Sequence, residues 1–236
     1  MVTLSAIMQS SAMMESSDSG KENAIDISKF LSTDGIKSLM VVSFSISPTS
    51  LEPCKVDFHT HTAANGTFFV RYYLQEQSTN RRTAGRGPPV GRFSAGRKGR
   101  EVLVGQFTNI GKAQEPKSDT MNVFKYGDWE IQRPAPGKLP QDVETIEHQS
   151  DDDACAIFST SRRHTAGAPR PLLDFRVRAS EIKNEGLACL TSIEQHVKKM
   201  KANHPEIIVP TIDNIISCQQ KCLTASHCKL SDEAEL

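Results

Sequence analysis

The chain has 236 residues, 37% of them hydrophobic, and its 28 Lys and Arg residues balance 28 Asp and Glu residues. That length holds one domain or two small ones, and zero net charge excludes a global attraction to nucleic acid or membrane, so any such binding must come from local patches. No apolar run approaches the roughly 18 residues of a membrane span. The N-terminal stretch also lacks the basic n-region and apolar core of a secretory signal. With six cysteines in the chain, the expectation is an intracellular protein, cytoplasmic or nuclear, with reduced thiols.

Residues 1–28, rich in Ser and Met, read as a disordered N-terminal arm. Residues 29–225 read as a single α+β domain with a mobile basic loop at 77–100, and residues 226–236 as an acidic C-terminal tail. "ISKFL" predicts one helical turn or two. In "MVVSFSIS", Met40, Val42, Phe44 and Ile46 alternate with small or polar residues, the period of a half-buried strand. "KVDFHTHT" and "TFFVRYYLQ" alternate next, and Asn65-Gly66 between them is a hairpin signal because both residues tolerate positive φ. "EVLVGQF" is a further strand. "MNVFKYGDWEIQ" predicts a hairpin turning near Gly127-Asp128, and "RPAPGKLPQ" a connector. The stretch from Asp142 to Asp153 carries six carboxylates and reads as an acidic segment. "ACAIFS" and "LLDFRVR" are strands. From Ser180, a candidate N-cap, the period changes: Ile182, Leu187, Leu190, Ile193, Val197 and Met200 predict an amphipathic helix closed before Pro205. "EIIVP" reads as a short strand and "TIDNIISCQQKCL" as a second helix. The expected fold is α+β: an antiparallel β-sheet or sandwich of about six to eight strands followed by two C-terminal helices.

One basic segment occurs twice. "STNRRTAGRGPPVGRF" begins at Ser78, and "STSRRHTAGAPRPLLDF" begins at Ser159. With His164 skipped, nine of sixteen aligned positions are identical. The first copy and its extension carry Arg81, Arg82, Arg86, Arg92, Arg97, Lys98 and Arg100 without an acid among them. The second carries Arg162, Arg163, His164 and Arg170. Guanidinium presents a planar fork suited to phosphate oxygens, and glycine lets the backbone approach them. Contacts of this kind give salt-dependent affinity without base reading. The same segment also reads as a protein-contact loop, or as a solvated connection that the acidic stretch neutralises.

Two patterns suggest metals. Cys218, Cys222, His227 and Cys228 supply three thiols and an imidazole within a short span, the inventory of a structural zinc site, although the same cysteines also fit core packing on a helix face. Asp57, His59 and His61 lie at i, i+2 and i+4, which on a regular strand puts them on one face. This stretch resembles the first motif of the PHP family of metal-dependent phosphoesterases, with Phe58 where that family has leucine. The resemblance is confined to this strand and implies a metal-dependent phosphoesterase using Asp57, His59 and His61.

The leading expectation is a non-enzymatic, self-associating protein that binds RNA or single-stranded nucleic acid through the two Arg-rich loops, in the manner of a viral structural or accessory protein. The alternatives are a protein–protein adaptor or matrix-type protein, and the metal phosphoesterase.

Overall fold

The computed structural model describes residues 25–47, 54–74, 99–114, 116–130, 133–162, 171–182, 187–225 and 228. Eight antiparallel strands close into a barrel: β1 (Leu39–Ser45), β2 (Cys54–Ala63), β3 (Gly66–Tyr73), β4 (Arg100–Thr108), β5 (Thr120–Lys125), β8 (Asp142–Gln149), β9 (Cys155–Arg162) and β10 (Leu172–Arg178). Each of these strands pairs with the barrel strand before it, and β10 returns to β1, with Arg176 opposite Ser43. The expected antiparallel strands and two C-terminal helices are present, but the sheet is closed rather than open or sandwiched. Closure removes the unpaired edges that an open sheet would expose.

Closure also gives the strand alternation two buried destinations. Along β1, Leu39, Val41, Ser43 and Ser45 share one face, and the register carries that face to Lys55, Asp57 and His59 on β2. It continues to Phe69, Arg71 and Tyr73 on β3, and then to Glu101 and Leu103 on β4. Val123 follows on β5, with Asp142 and Glu144 on β8. Phe158 and Thr160 on β9 lead to Asp174 and Arg176 on β10. This is the inside of the barrel. Part of the opposite face, including Val42, Val56, Val70, Ile157, Phe175 and Val177, is also buried, in the cluster that the two helices complete.

Those helices are α2 (Leu190–Asn203), packed on β8 and β9, and α3 (Ile212–Thr224), packed on β1 and β2. Disulfides fix both to the barrel wall. Cys155 of β9 is bonded to Cys189 just before α2, and Cys54 of β2 to Cys218 of α3. Cys222 is bonded to Cys228, so all six cysteines are paired. Helix α3 opens with a capping box in which Thr211 and Asn214 each accept from the other's backbone N–H. Helix α2 starts later than the periodicity suggests. Ala179–Glu181 form a 3-10 turn, and the helix proper begins at Leu190, next to the Cys155–Cys189 link.

Helix α1 (Ile27–Phe30) is one turn, capped by the Asp26 carboxylate, which accepts from the backbone N–H groups of Ser28 and Lys29. Ile27, Phe30 and Leu31 are fully buried against Phe69, Leu103, Met121 and Phe158 in the apolar half of the barrel interior. Backbone N–H groups of this segment donate to Ser118 O and to Oε1 of Gln149. Helix α1 therefore stops the end of the barrel where the β2–β3, β4–β5 and β8–β9 connections lie. Residues 25–28, expected in the arm, belong to this plug.

Two further expectations change. Tyr126–Asp128 form a 3-10 turn, after which β6 (Trp129–Glu130) pairs with β7 (Arg133–Pro134) instead of folding back on β5. Residues 207–210 are not a strand, although the Ile208 N–H donates to Ile46 O beyond the end of β1. The acidic stretch divides. Its first part is β8, whose Asp142 and Glu144 turn into the barrel; its last part is the β8–β9 turn.

Candidate functional site

The upper half of the barrel interior is charged. Arg71 donates from Nε and Nη2 to the two carboxylate oxygens of Asp57 at 2.8 and 2.7 Å, and from Nη1 to Glu144 at 2.7 Å. Arg176 donates from Nη1 to the other Glu144 oxygen at 2.7 Å. Lys55 donates to Asp174 at 2.5 Å, and Asp174 lies 3.5 Å from Arg176 Nη2. All six side chains are buried. Three cations face three carboxylates, so this linked set carries no net charge. Burial alone would raise the Glu144 carboxyl, but the Arg176 and Arg71 guanidiniums outweigh it and hold it well below the usual range. Asp174 is likewise lowered: burial opposes ionisation, and Lys55 and Arg176 more than compensate. Glu144 and Asp174 are therefore ionised near neutrality.

Several buried polar atoms of this interior make no hydrogen bond: Arg176 Nε and Nη2, Ser43 Oγ, Thr160 Oγ1 and His59 Nε2. Arg176 and Ser43 are direct cross-strand neighbours. The Arg176 guanidinium lies over the Phe158 ring, 4.1 Å from its centroid, and its Nε–Nη2 edge makes no hydrogen bond. His59 stacks on Phe69 at 4.9 Å, and its pKa falls to about 4, chiefly through burial. Leaving a buried donor or acceptor unmade costs about 1–3 kcal/mol. Each of these atoms is a position where a partner atom belongs, and those of Arg176 and Ser43 lie on neighbouring strands.

Strand direction distinguishes the two ends of the barrel. Helix α1 stops one end. The other end is where β1, β3, β5 and β9 finish and β2, β4, β8 and β10 begin. There the Tyr73 hydroxyl donates to Glu101 at 2.9 Å.

Both basic segments are bracketed by strand ends at this second end of the barrel: Tyr73 and Arg100 for the first, Arg162 and Leu172 for the second. Arg100 opens β4 and is exposed. Arg162 closes β9, opposite Asp142 in register. Arg81, Arg82, Arg86, Arg92, Arg97, Lys98, Arg163 and Arg170 lie outside the described residues.

Among the described residues neither metal pattern is assembled. Asp57 is occupied by Arg71, and a β-bulge between His59 and His61 reverses the alternation. His59 thus faces the interior while His61 is exposed, so the two imidazoles are not on one face. Cys218 is bonded to Cys54 and Cys222 to Cys228, which leaves no free thiolate there, and His227 lies outside the described residues. No group of three or more His, Cys, Asp or Glu suited to a metal occurs among the described residues.

Sequence reasoning missed Lys55, Arg71, Glu144, Asp174 and Arg176 as a unit. Its traces were present: Lys55-x-Asp57 and Asp174-x-Arg176 put opposite charges two apart within apolar strand runs, where a solvent-facing side would not need matched charges. No protein-family model and no curated protein matches the sequence.

Proposed function

We propose that the protein is a non-enzymatic binder that holds one small polar molecule inside the barrel. The supporting observation is the set of buried, unbonded polar atoms at Arg176, Ser43, Thr160 and His59. Eight-stranded barrels either fill with side chains or hold one small ligand. Here the apolar half is filled and plugged by α1, while the charged half keeps spare hydrogen-bonding capacity. The ionised groups are committed to one another, which favours retention over acid–base chemistry. Three disulfides favour an oxidising compartment over the reduced one expected from the N-terminus. The test is native mass spectrometry and thermal shift of the purified protein against a panel of small polar compounds. Binding weakened by Arg176→Met and Thr160→Val is expected. A high-resolution crystal structure with an interior closed by side chains alone would refute the reading.

A second reading keeps the basic segments. Their bracketing strand ends share one end of the barrel, so two cationic connections leave the same rim, as the grip on a polyanion requires. Binding to a labelled RNA should then fall steeply as salt rises. The slope should flatten when Arg81, Arg82, Arg162 and Arg163 become Ala. Weak binding indifferent to these changes would refute it.

A further inference from the structure

The barrel's unbonded atoms specify the chemistry of a ligand, an inference that rests on the interior being the binding site. One chain of hydrogen bonds fixes the His59 tautomer. The Thr62 hydroxyl donates to the Leu31 carbonyl at 2.7 Å, which uses its only proton. Thr67 Oγ1, 2.9 Å from Thr62 Oγ1, must therefore be the donor of that pair. Its proton spent, Thr67 can only accept from His59 Nδ1 at 3.0 Å. The proton of the neutral imidazole is thus on Nδ1, and Nε2 is a bare, buried acceptor without a partner. The Leu31 carbonyl at the start of this chain belongs to the segment that plugs the barrel, so seating the plug orients the ring.

Opposite needs arise at Arg176, where Nε has no acceptor and Nη2, although 3.5 Å from Asp174, makes no hydrogen bond. Within the linked set the charges already balance: Lys55, Arg71 and Arg176 against Asp57, Glu144 and Asp174. A ligand with a full charge would enter a buried place with no counter-charge to spare, and burying an uncompensated charge is far costlier than burying a hydrogen-bonded dipole.

We infer that the molecule held in the barrel is uncharged and bears both an acceptor for the free edge of Arg176 and an N–H or O–H donor for His59 Nε2. This is the chemistry of an amide or lactam, not of a carboxylate or an amine. Ser43 and Thr160, each able to donate and accept, complete either side.

Acetamide, acetate and acetamidinium have the same shape and differ in charge, and they serve as probes. Nitrogen-15 NMR of the full chain, oxidised and at neutral pH, follows His59 Nε2 and Arg176 Nε. The free protein should show Nδ1 protonated and Nε2 bare; a protonated Nε2 overturns the inference before any probe is added. Acetamide should shift both signals saturably, at a concentration about tenfold below any effect of the two ions. Acetate or acetamidinium acting on these signals as strongly as acetamide overturns the inference but leaves the barrel as a binding site. Silence of both signals towards all three probes overturns the site as well.

Discussion

Glutamate 144 is the most informative position in the barrel. It accepts from Arg71 on one oxygen and from Arg176 on the other, both at 2.7 Å, and is fully buried. Substitution by Gln keeps the shape and removes the charge, leaving three buried cations against two carboxylates. At a charge separation of about 4 Å and an effective dielectric of about 20, each lost pairing is worth about 4 kcal/mol. The Glu144 desolvation cost, several kcal/mol, is recovered. Removing one member of a buried ion set therefore nets about 3–5 kcal/mol of destabilisation. The compensating change is Arg176→Met, which restores neutrality: Lys55 and Arg71 would then face Asp57 and Asp174. Urea unfolding at pH 7, followed by far-ultraviolet circular dichroism, gives all four corners of the cycle. The double variant should be more stable than the summed single losses imply, by about 2 kcal/mol or more, with an unchanged m value. Additivity within about 0.5 kcal/mol, or a Glu144→Gln loss below about 1 kcal/mol, would refute the charge-balance account.

Four further outcomes follow from the same structure. His59 is neutral in the fold down to about pH 4, whereas an unfolded histidine takes up its proton near pH 6.5. The unfolded state binds more protons between these values, so stability should fall as pH drops through that window, by up to about 3 kcal/mol; denaturation of wild type and His59→Phe at pH 7 and 4.5 isolates the contribution. The carboxylates of Glu144 and Asp174, whose pKa values are depressed, stabilise above the unfolded value and lose that effect only as pH falls through their lower folded values, so they separate from His59 in the titration. A Cβ on Gly66 would collide with the Gly105 backbone carbonyl across the β3–β4 ladder, so Gly66→Ala should cost about 1–3 kcal/mol in the same assay. Replacing Cys54 and Cys218 by Ser together opens a link spanning 164 residues. The expected loss is about 2–5 kcal/mol, with faster amide exchange in α3 than in the strands.

Alternation in "MVVSFSIS", "KVDFHTHT" and "LLDFRVR" was enough to mark strands, because a period of two needs only local sequence. The apolar periodicity of "TIDNIISCQQKCL" likewise made α3 legible where it stands. Local sequence could not show that β10 returns to β1, since that pairing joins Ser43 to Arg176 across most of the chain. It could not show that the bulge after His59 turns His61 outward, because a single extra residue reverses every later side chain without altering the residue pattern. Nor could it pair the cysteines or distinguish Asp142 and Glu144 from a solvated acidic run, since in an isolated strand a charge facing water and a charge facing a buried guanidinium occupy the same alternate positions. The sequence by itself determined the main strands, the last helix and a repeated basic segment. Only the tertiary structure decided which side of each strand was inside, because burial is a property of closure, and closure alone brought Arg71, Glu144 and Arg176 within hydrogen-bonding distance.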